Sequence, residues 1–92
     1  MLEEIKKIQG INHNEFDTTI DMWIEAAKLD LKSIGIVDFI VDSDDNLIQD
    51  AIITYVLSSI DVVNSEMYKD AYRLKKDKLR HYSEYTEVND GI

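Results

Sequence analysis

The sequence predicts an all-α protein, a small bundle of about four helices. The 92-residue chain has no proline and only three glycines, so long stretches lack the residues that interrupt a helix. Apolar side chains recur at helical spacing through most of the chain, and polar capping residues stand before the apolar segments. This length suits one domain, which we expect to cover residues 1–82, with a flexible tail over residues 83–92.

A short polar turn separates the first two predicted helices. The first covers about Leu2–Gln9 and is expected to stop at Gly10. The second covers about Glu15–Ile34, with Asn14 as candidate N-cap and Gly35 as candidate C-terminal stop. One broad face of this second helix is apolar and is predicted to face the core: Phe16, Ile20, Trp23, Ile24, Ala27, Leu31 and Ile34.

Residues 36–46 are predicted to form a loop before the third helix. Its first part, IVDFIV, could form a short extended segment within residues 36–42, and Ser43 or Asp44 is the candidate cap. The third helix covers about Asp45–Val63 and is apolar around most of its circumference. Its narrow polar seam comprises Asp50, Thr54, Ser58 and Asp61. A helix with so little polar surface lies at the centre of its fold or between subunits.

The fourth predicted helix, about Ser65–Tyr82, carries a basic stripe. The stripe consists of residues at spacings of four, three and four, which places them on one face: Lys69, Arg73, Lys76 and Arg80. An apolar stripe on the same helix comprises Tyr68, Tyr72, Leu79 and Tyr82. The net charge of the chain is −9, so the chain as a whole should repel nucleic acid although this helix should not.

A second apolar stripe on the second helix has no obvious cover within the chain. Met22, Ala26 and Leu29 lie roughly 140° from the core-facing side by helical geometry. Two interpretations remain open, namely packing against the first helix and contact with another subunit. Together with outward positions on the third helix, the stripe gives the candidate oligomer interface: Met22, Ala26, Leu29, Ile53, Leu57 and Ile60.

The basic stripe has three interpretations. It could be a solvated face, a salt-dependent contact with DNA phosphates, or an electrostatic contact with a neighbouring subunit or partner. In the contact between subunits, Lys69, Arg73, Lys76 and Arg80 would meet the acidic side of the second helix, which comprises Asp17, Asp21 and Glu25.

No motif indicates catalysis, a cofactor or a metal site. His13 and His81 stand outside any recognisable triad or metal-ligand spacing, and the absence of cysteine excludes disulfides and thiolate ligands. Asp42, Asp44 and Asn46 match the start of a calcium loop, but Leu47 occupies the position that needs glycine. The longest apolar run, AIITYVL, is far short of the roughly 18 residues expected for a membrane span. We therefore expect neither enzymatic activity nor membrane insertion.

The order of these segments resembles the small head–tail connector proteins of long-tailed double-stranded DNA phages. The similar segments are LEEIKK in the first helix, GINHNEFD at residues 10–17, I-x-x-WIEAAK at residues 20–28 and DAIITYVL at residues 50–57. The resemblance covers roughly residues 1–82. The basic stripe has no counterpart in the family pattern.

This resemblance implies a structural virion protein, made in the bacterial cytoplasm and located at the head–tail junction. It implies a homo-oligomeric ring, commonly of about a dozen subunits in the virion, which is closed by heterologous contacts between neighbours. Such a ring binds the portal protein, extends the DNA channel and offers a platform to the next head–tail joining (stopper) protein. DNA would be passing cargo only.

One alternative function is a small acidic regulatory or inhibitory protein that binds a basic partner. Such a protein would display its carboxylates over one exposed face at phosphate spacing. Here the carboxylates are divided between one side of the second helix and the loop that follows it. A DNA-binding helical domain that uses the basic stripe is a further alternative, and it predicts salt-dependent binding.

Overall fold

The computed structural model describes residues 1–86, and this part of the chain is all-helical with no β-strand, as predicted. Four helices have seven or more residues and correspond to the four predicted ones. Two single-turn helices, α3 and α6, were not predicted. In chain order the helices are α1 Leu2–Ile8, α2 Asp17–Ser33, α3 Asp38–Val41, α4 Asn46–Ile60, α5 Ser65–Arg80 and α6 Ser83–Thr86.

Helix α4 lies at the centre of the fold, with α2 and α5 packed against it and α1 contacting both α2 and α4. Its completely buried side chains include Ile48, Ile52 and Val56, which meet Ile20 and Leu31 of α2 in one core. Of the two positions that the nearly all-round apolar surface allowed, at the centre of the fold or between subunits, the structure shows the central one.

The polar seam of α4 faces α5. The Lys75 ammonium donates to Thr54 Oγ1 at 2.9 Å and lies 2.8 Å from Asp50 Oδ2. The Ser65 hydroxyl donates to the Ser58 carbonyl at 2.8 Å. Helix α5 thus supplies polar partners to Asp50 and Thr54, and the Ser58 hydroxyl donates to the Tyr55 carbonyl within α4. These groups therefore stay paired although α2 and α5 enclose α4.

Glycine ends α1 and α2 as predicted. Gly10 and Gly35 have φ of +68° and +98°, a left-handed backbone conformation that residues with a Cβ rarely adopt. After α2, the Gly35 amide donates to the Lys32 carbonyl and the Ile36 amide donates to the Leu31 carbonyl. This pair of hydrogen bonds is a Schellman motif, and it turns Ile36 back into the core, where it is 2% exposed.

The start of α2 differs from the prediction. The helix begins at Asp17, and Asn14 does not cap it; instead the Asn14 side-chain oxygen accepts from the Lys6 ammonium at 2.9 Å. Lys6 is only 6% exposed and also lies 2.9 Å from Asp17 Oδ1. A buried ammonium needs such partners, so it draws the polar turn toward α1.

Removing the Asp17 carboxylate is expected to destabilise the fold. Asp17→Ala leaves the buried Lys6 ammonium with one partner fewer, which we expect to cost about 1–3 kcal/mol of unfolding free energy. Asp21→Ala, one turn later on the exposed side of α2, should change it by less than about 0.5 kcal/mol. Urea denaturation of both variants measures the difference. Equal midpoints for the two variants would show that the Lys6–Asp17 contact contributes nothing.

The segment predicted as possibly extended is helical instead. Within residues 38–41, α3 closes its own hydrogen bonds, with the Ile40 and Val41 amides donating to the Val37 carbonyl. The described chain offers no strand with which an extended segment could pair, so a helical turn satisfies the backbone better. Val41 is thereby buried, whereas Phe39 is 75% exposed.

The cap of α4 and the position of α6 depend on the same residue, Asp45. Its Oδ1 accepts from the backbone amides of Leu47 and Ile48, so the cap is Asp45 rather than Ser43 or Asp44. Its Oδ2 accepts from the Tyr85 hydroxyl at 2.9 Å. Burial and this carboxylate raise the pKa of Tyr85 to about 12.

The folded part of the chain therefore extends beyond the expected boundary at residue 82. Tyr85 is 9% exposed, and its carbonyl accepts from the Val37 amide at 2.8 Å. Residues 83–86, which were assigned to the flexible tail, belong to the packed domain because this aromatic side chain reaches the core. Residues 87–92 of the predicted tail lie outside the described residues.

The third predicted helix ends three residues early. α4 stops at Ile60, where Asp61 adopts an extended conformation and accepts from the Asn64 backbone and side-chain amides. These hydrogen bonds lower the pKa of the Asp61 carboxyl. Val62 and Val63, predicted as helical, are 84% and 92% exposed in the turn to α5.

Candidate subunit interface

The second apolar stripe of α2 faces outward. Met22 and Leu29 are 66% and 67% exposed, and Ala26 between them is half-buried. With Thr18, Asp21 and Glu25 they line one shallow depression. Packing of this stripe against α1, one of the two interpretations of the sequence, is therefore wrong for the described chain. An uncovered apolar helix face in a small domain is typical of a contact surface.

The predicted interface positions on α4 are less exposed than those on α2, so they are less able to contact another subunit. Leu57 is 5% exposed and belongs to the interior, so its assignment to the interface was wrong. The reason is that α2 and α5 together cover most of α4. Ile53 and Ile60 are half-buried and pack against the core. Ile60 also reaches the surface, where it lines a small apolar groove with Ile11, Phe16, Thr19, Ile20, Trp23 and Ser59.

A second outward apolar stripe, on α5, was missed from the sequence. Met67 and Leu74 are 57% and 71% exposed, and like Met22 and Leu29 they stand seven residues apart. The segments that contain them, MWIEAAKL and MYKDAYRL, share the pattern Met–aromatic–x–acidic–Ala–x–basic–Leu. The match spans eight residues, too short to stand out before exposure is known. In the sequence, Tyr68 and Tyr72 indicated a different apolar face of this helix.

The acidic side of α2 is not uniformly free. Asp17 is engaged by the buried Lys6 of its own chain, so it does not fit the predicted contact with a neighbouring cation. Glu25 lies 3.4 Å from Lys28, one turn along the same helix, and is 69% exposed. Such exposed pairs contribute little stability and exchange partners easily. Asp21 and Glu25 therefore remain the carboxylates best placed to meet a neighbour.

The basic stripe of α5 is also divided. The Lys76 ammonium donates to Asp30 Oδ2 at 3.1 Å and lies over the Tyr72 ring, so it fixes α5 to α2 within one chain. Lys76 therefore already has a partner within its own chain, which the sequence did not predict. Lys69 and Arg73 form exposed pairs with Glu66 and Asp70 at 3.6 and 3.1 Å, and Arg80 is exposed. Three of the four predicted cations thus remain at the surface.

Asp30 also accepts a hydrogen bond from the Tyr72 hydroxyl at 2.6 Å. Burial and this carboxylate raise the pKa of Tyr72 well above its ordinary value. An unfolded tyrosine ionises near pH 10, whereas the folded one keeps its proton there. The resulting contribution to stability is complete below that pH and is lost as the pH rises above it.

Tyr72→Phe should reduce this alkaline sensitivity. The variant loses one buried hydrogen bond, so we expect about 1 kcal/mol less stability at neutral pH. Between about pH 9 and pH 11 its stability should fall less steeply than that of the natural chain, because one tyrosine with a raised pKa is gone. Urea denaturation across this pH range measures both effects. If the stability of the two chains falls equally steeply over this pH range, the raised pKa of Tyr72 is contradicted.

The two histidines and the calcium-like segment have partners within their own chain. The His13 ring accepts from the Glu15 amide and the His81 ring donates to the Asp77 carbonyl, so both make local hydrogen bonds. No group of three or more His, Cys, Asp or Glu side chains converges on a metal position in this part of the chain. In the calcium-like segment, Asp42 pairs with Lys32 at 3.1 Å.

None of the helices in residues 1–86 combines the length and the apolar surface that a membrane span requires.

Comparison with curated proteins and comparison with solved structures each gave no match. A family model described as "Phage connector protein" matches residues 1–86, which is the whole of the described chain. Because this match covers nearly the whole chain, the chain belongs to the phage connector protein family, which indicates a structural role.

Proposed function

We propose that the protein is a head–tail connector that forms a homo-oligomeric ring beneath the portal of a long-tailed phage. In the virion this ring extends the DNA channel and presents a platform to the next head–tail joining protein. The observation that carries the proposal is the Met22–Leu29 stripe, which a single copy leaves about two-thirds exposed. Neighbouring copies in a ring would cover it.

The chemistry of the chain suits a passive channel part. Residues 34–64 contain six aspartates and no basic residue, and the net charge of the whole chain is −9. A negative wall holds phosphates poorly, so DNA can slide past it. The exposed cations of α5 are then expected to contact a neighbouring protein and not DNA. Binding to free duplex DNA at physiological salt should accordingly be weak.

The ring is expected to form on the portal rather than in dilute solution. The exposed apolar surface on each helix is narrow, and small interfaces give weak association on their own. A portal that holds neighbouring copies side by side raises their effective concentration and strengthens each contact. The isolated chain should therefore be mainly monomeric at micromolar concentration.

Negative-stain microscopy with the purified portal protein of the same phage tests this function. The chain is added in molar excess at micromolar concentration, and portal without the chain serves as control. We expect an additional ring of density on the tail-facing side of the portal. Portal particles that remain unchanged in the presence of excess chain would contradict the connector role.

A further inference from the structure

We infer that the Met22–Leu29 stripe of α2 in one copy packs antiparallel against the Met67–Leu74 stripe of α5 in a second copy. Met22 then lies opposite Leu74, and Leu29 lies opposite Met67. The inference specifies the contact between neighbours in the proposed ring and rests on that proposal.

The two stripes have matching lengths. Within each stripe, Met and Leu are seven residues apart, which corresponds to about 10.5 Å along a helix axis. All four side chains are more than half exposed. When the helices lie side by side, both Met–Leu pairs can therefore meet at once. Side chains one heptad apart on facing helices pack together in this manner.

The exposed charges select α5 as the partner of α2. Asp17 and Asp30 of α2, and Lys75 and Lys76 of α5, are paired within one chain. The carboxylates left beside the stripe of α2 are Asp21 and Glu25, whereas the exposed cations of α5 are Lys69, Arg73, Lys78 and Arg80. Two α2 faces brought together would place Asp21 and Glu25 of one copy near those of the other. Two α5 faces would bring like charges together as well. Pairing α2 with α5 avoids both repulsions, so charge complementarity favours a second copy as the occupant.

The distribution of charge along each helix selects the antiparallel direction. The acidic residues beside the stripe of α2, Asp21 and Glu25, lie in its N-terminal half, and Lys28 and Lys32 lie in its C-terminal half. Helix α5 has Glu66 at its N-terminal end and a basic C-terminal half. Antiparallel packing places opposite charges together at both ends, whereas parallel packing would place like charges together.

The contact joins two different faces, so it can propagate. Each copy offers its α2 stripe to one neighbour and its α5 stripe to the other. Such heterologous contacts generate a closed ring when the rotation between copies closes, and an open filament when it does not. A ring built in this manner has neither stripe exposed.

Disulfide cross-linking tests the pairing and its direction in a chain that contains no cysteine. Single-cysteine variants are mixed at millimolar concentration and oxidised, one partner of each mixture carrying a tag that separates heterodimers from homodimers. The matched mixtures are Met22→Cys with Leu74→Cys, and Leu29→Cys with Met67→Cys. The mismatched control is Met22→Cys with Met67→Cys. Far-UV circular dichroism of each variant confirms that it is folded.

We expect disulfide heterodimers in both matched mixtures and little product in the control. In the antiparallel register the control positions are about 10 Å farther apart along the axis, whereas a disulfide needs Cα atoms within about 7 Å. Dominant product in the control would show the parallel direction, and homodimers of Met22→Cys alone would show an α2–α2 contact. Either result, or no product in the matched mixtures, overturns the inference.

The cross-linking experiment and the portal experiment can fail independently, so each tests its own claim. If a ring forms on the portal but the matched mixtures give no product, the subunit contact proposed here is wrong and the connector role stands. If the matched disulfides form but the portal binds nothing, the contact between copies stands and the connector role falls.

Discussion

Ile52→Ala is expected to remove a large part of the stability of the fold. Ile52 is completely buried on α4, the central helix, within the core that α4 shares with α2. Truncation of a buried isoleucine costs about 2–5 kcal/mol through lost apolar contact and the cavity left behind. A domain of this size has only about 5–14 kcal/mol in total. A loss of about 3 kcal/mol should lower the melting temperature by roughly 12–24 °C.

Val62→Ala provides the matched control for this experiment. Val62 is also aliphatic, but it is 84% exposed in the turn after α4, so its truncation should change stability by less than about 0.5 kcal/mol. Calorimetry or circular dichroism of both variants measures the difference. Equal melting temperatures would contradict the placement of α4 at the centre of the core.

The second large effect concerns assembly and leaves folding unchanged. Met22→Asp with Leu29→Asp places two charges on the stripe of α2, where we propose that neighbouring copies meet. Because both side chains are about two-thirds exposed in one copy, the melting temperature should change little. Each subunit contact loses two apolar side chains that would be worth about 1.5–3 kcal/mol apiece if fully buried. A loss of about 3 kcal/mol per contact weakens it more than a hundredfold.

The assembly experiment needs a variant with the same added charge elsewhere. Asn12→Asp with Asn46→Asp adds two carboxylates at exposed polar positions outside both stripes. Negative-stain images with portal should show the ring for this control and no ring for the double variant at positions 22 and 29. Normal rings from both would show that the α2 stripe is not a subunit contact.

Much of the fold follows from local pattern. Helical periodicity identified the core face of α2, where Ile20, Ile24, Ala27 and Leu31 are all buried. Phe16, assigned to the same face, is 51% exposed because the helix begins only after it. Gly10 and Gly35 marked helix ends because a left-handed residue is needed there whatever the tertiary structure. The same periodicity separated Met22 and Leu29 from the buried face, but it left open whether α1 covers them, and the structure shows that they are exposed.

The errors involve contacts between distant parts of the chain. Periodicity shows which residues share a helix face, but it does not show which element covers that face. The partner of Lys76 within the chain was missed because this partner, Asp30, lies 46 residues away. The fold of residues 83–86 was missed for a similar reason, since the partner of Tyr85 is Asp45, 40 residues away. Leu57 was assigned to an interface because the sequence could not show that α2 and α5 both pack against α4.

The central claim, that assembly covers the outward stripes of α2 and α5, is tested most directly by thiol accessibility in the portal-bound particle. Met22→Cys and Leu74→Cys report on the two stripes, and Asn12→Cys reports on an exposed loop outside them. All three should react rapidly with a maleimide in the free chain. In the particle we predict reactions about tenfold slower or more at positions 22 and 74, as expected for sites that need local opening, and an unchanged rate at position 12. Equal rates at all three positions in a particle that contains the bound chain would contradict the claim.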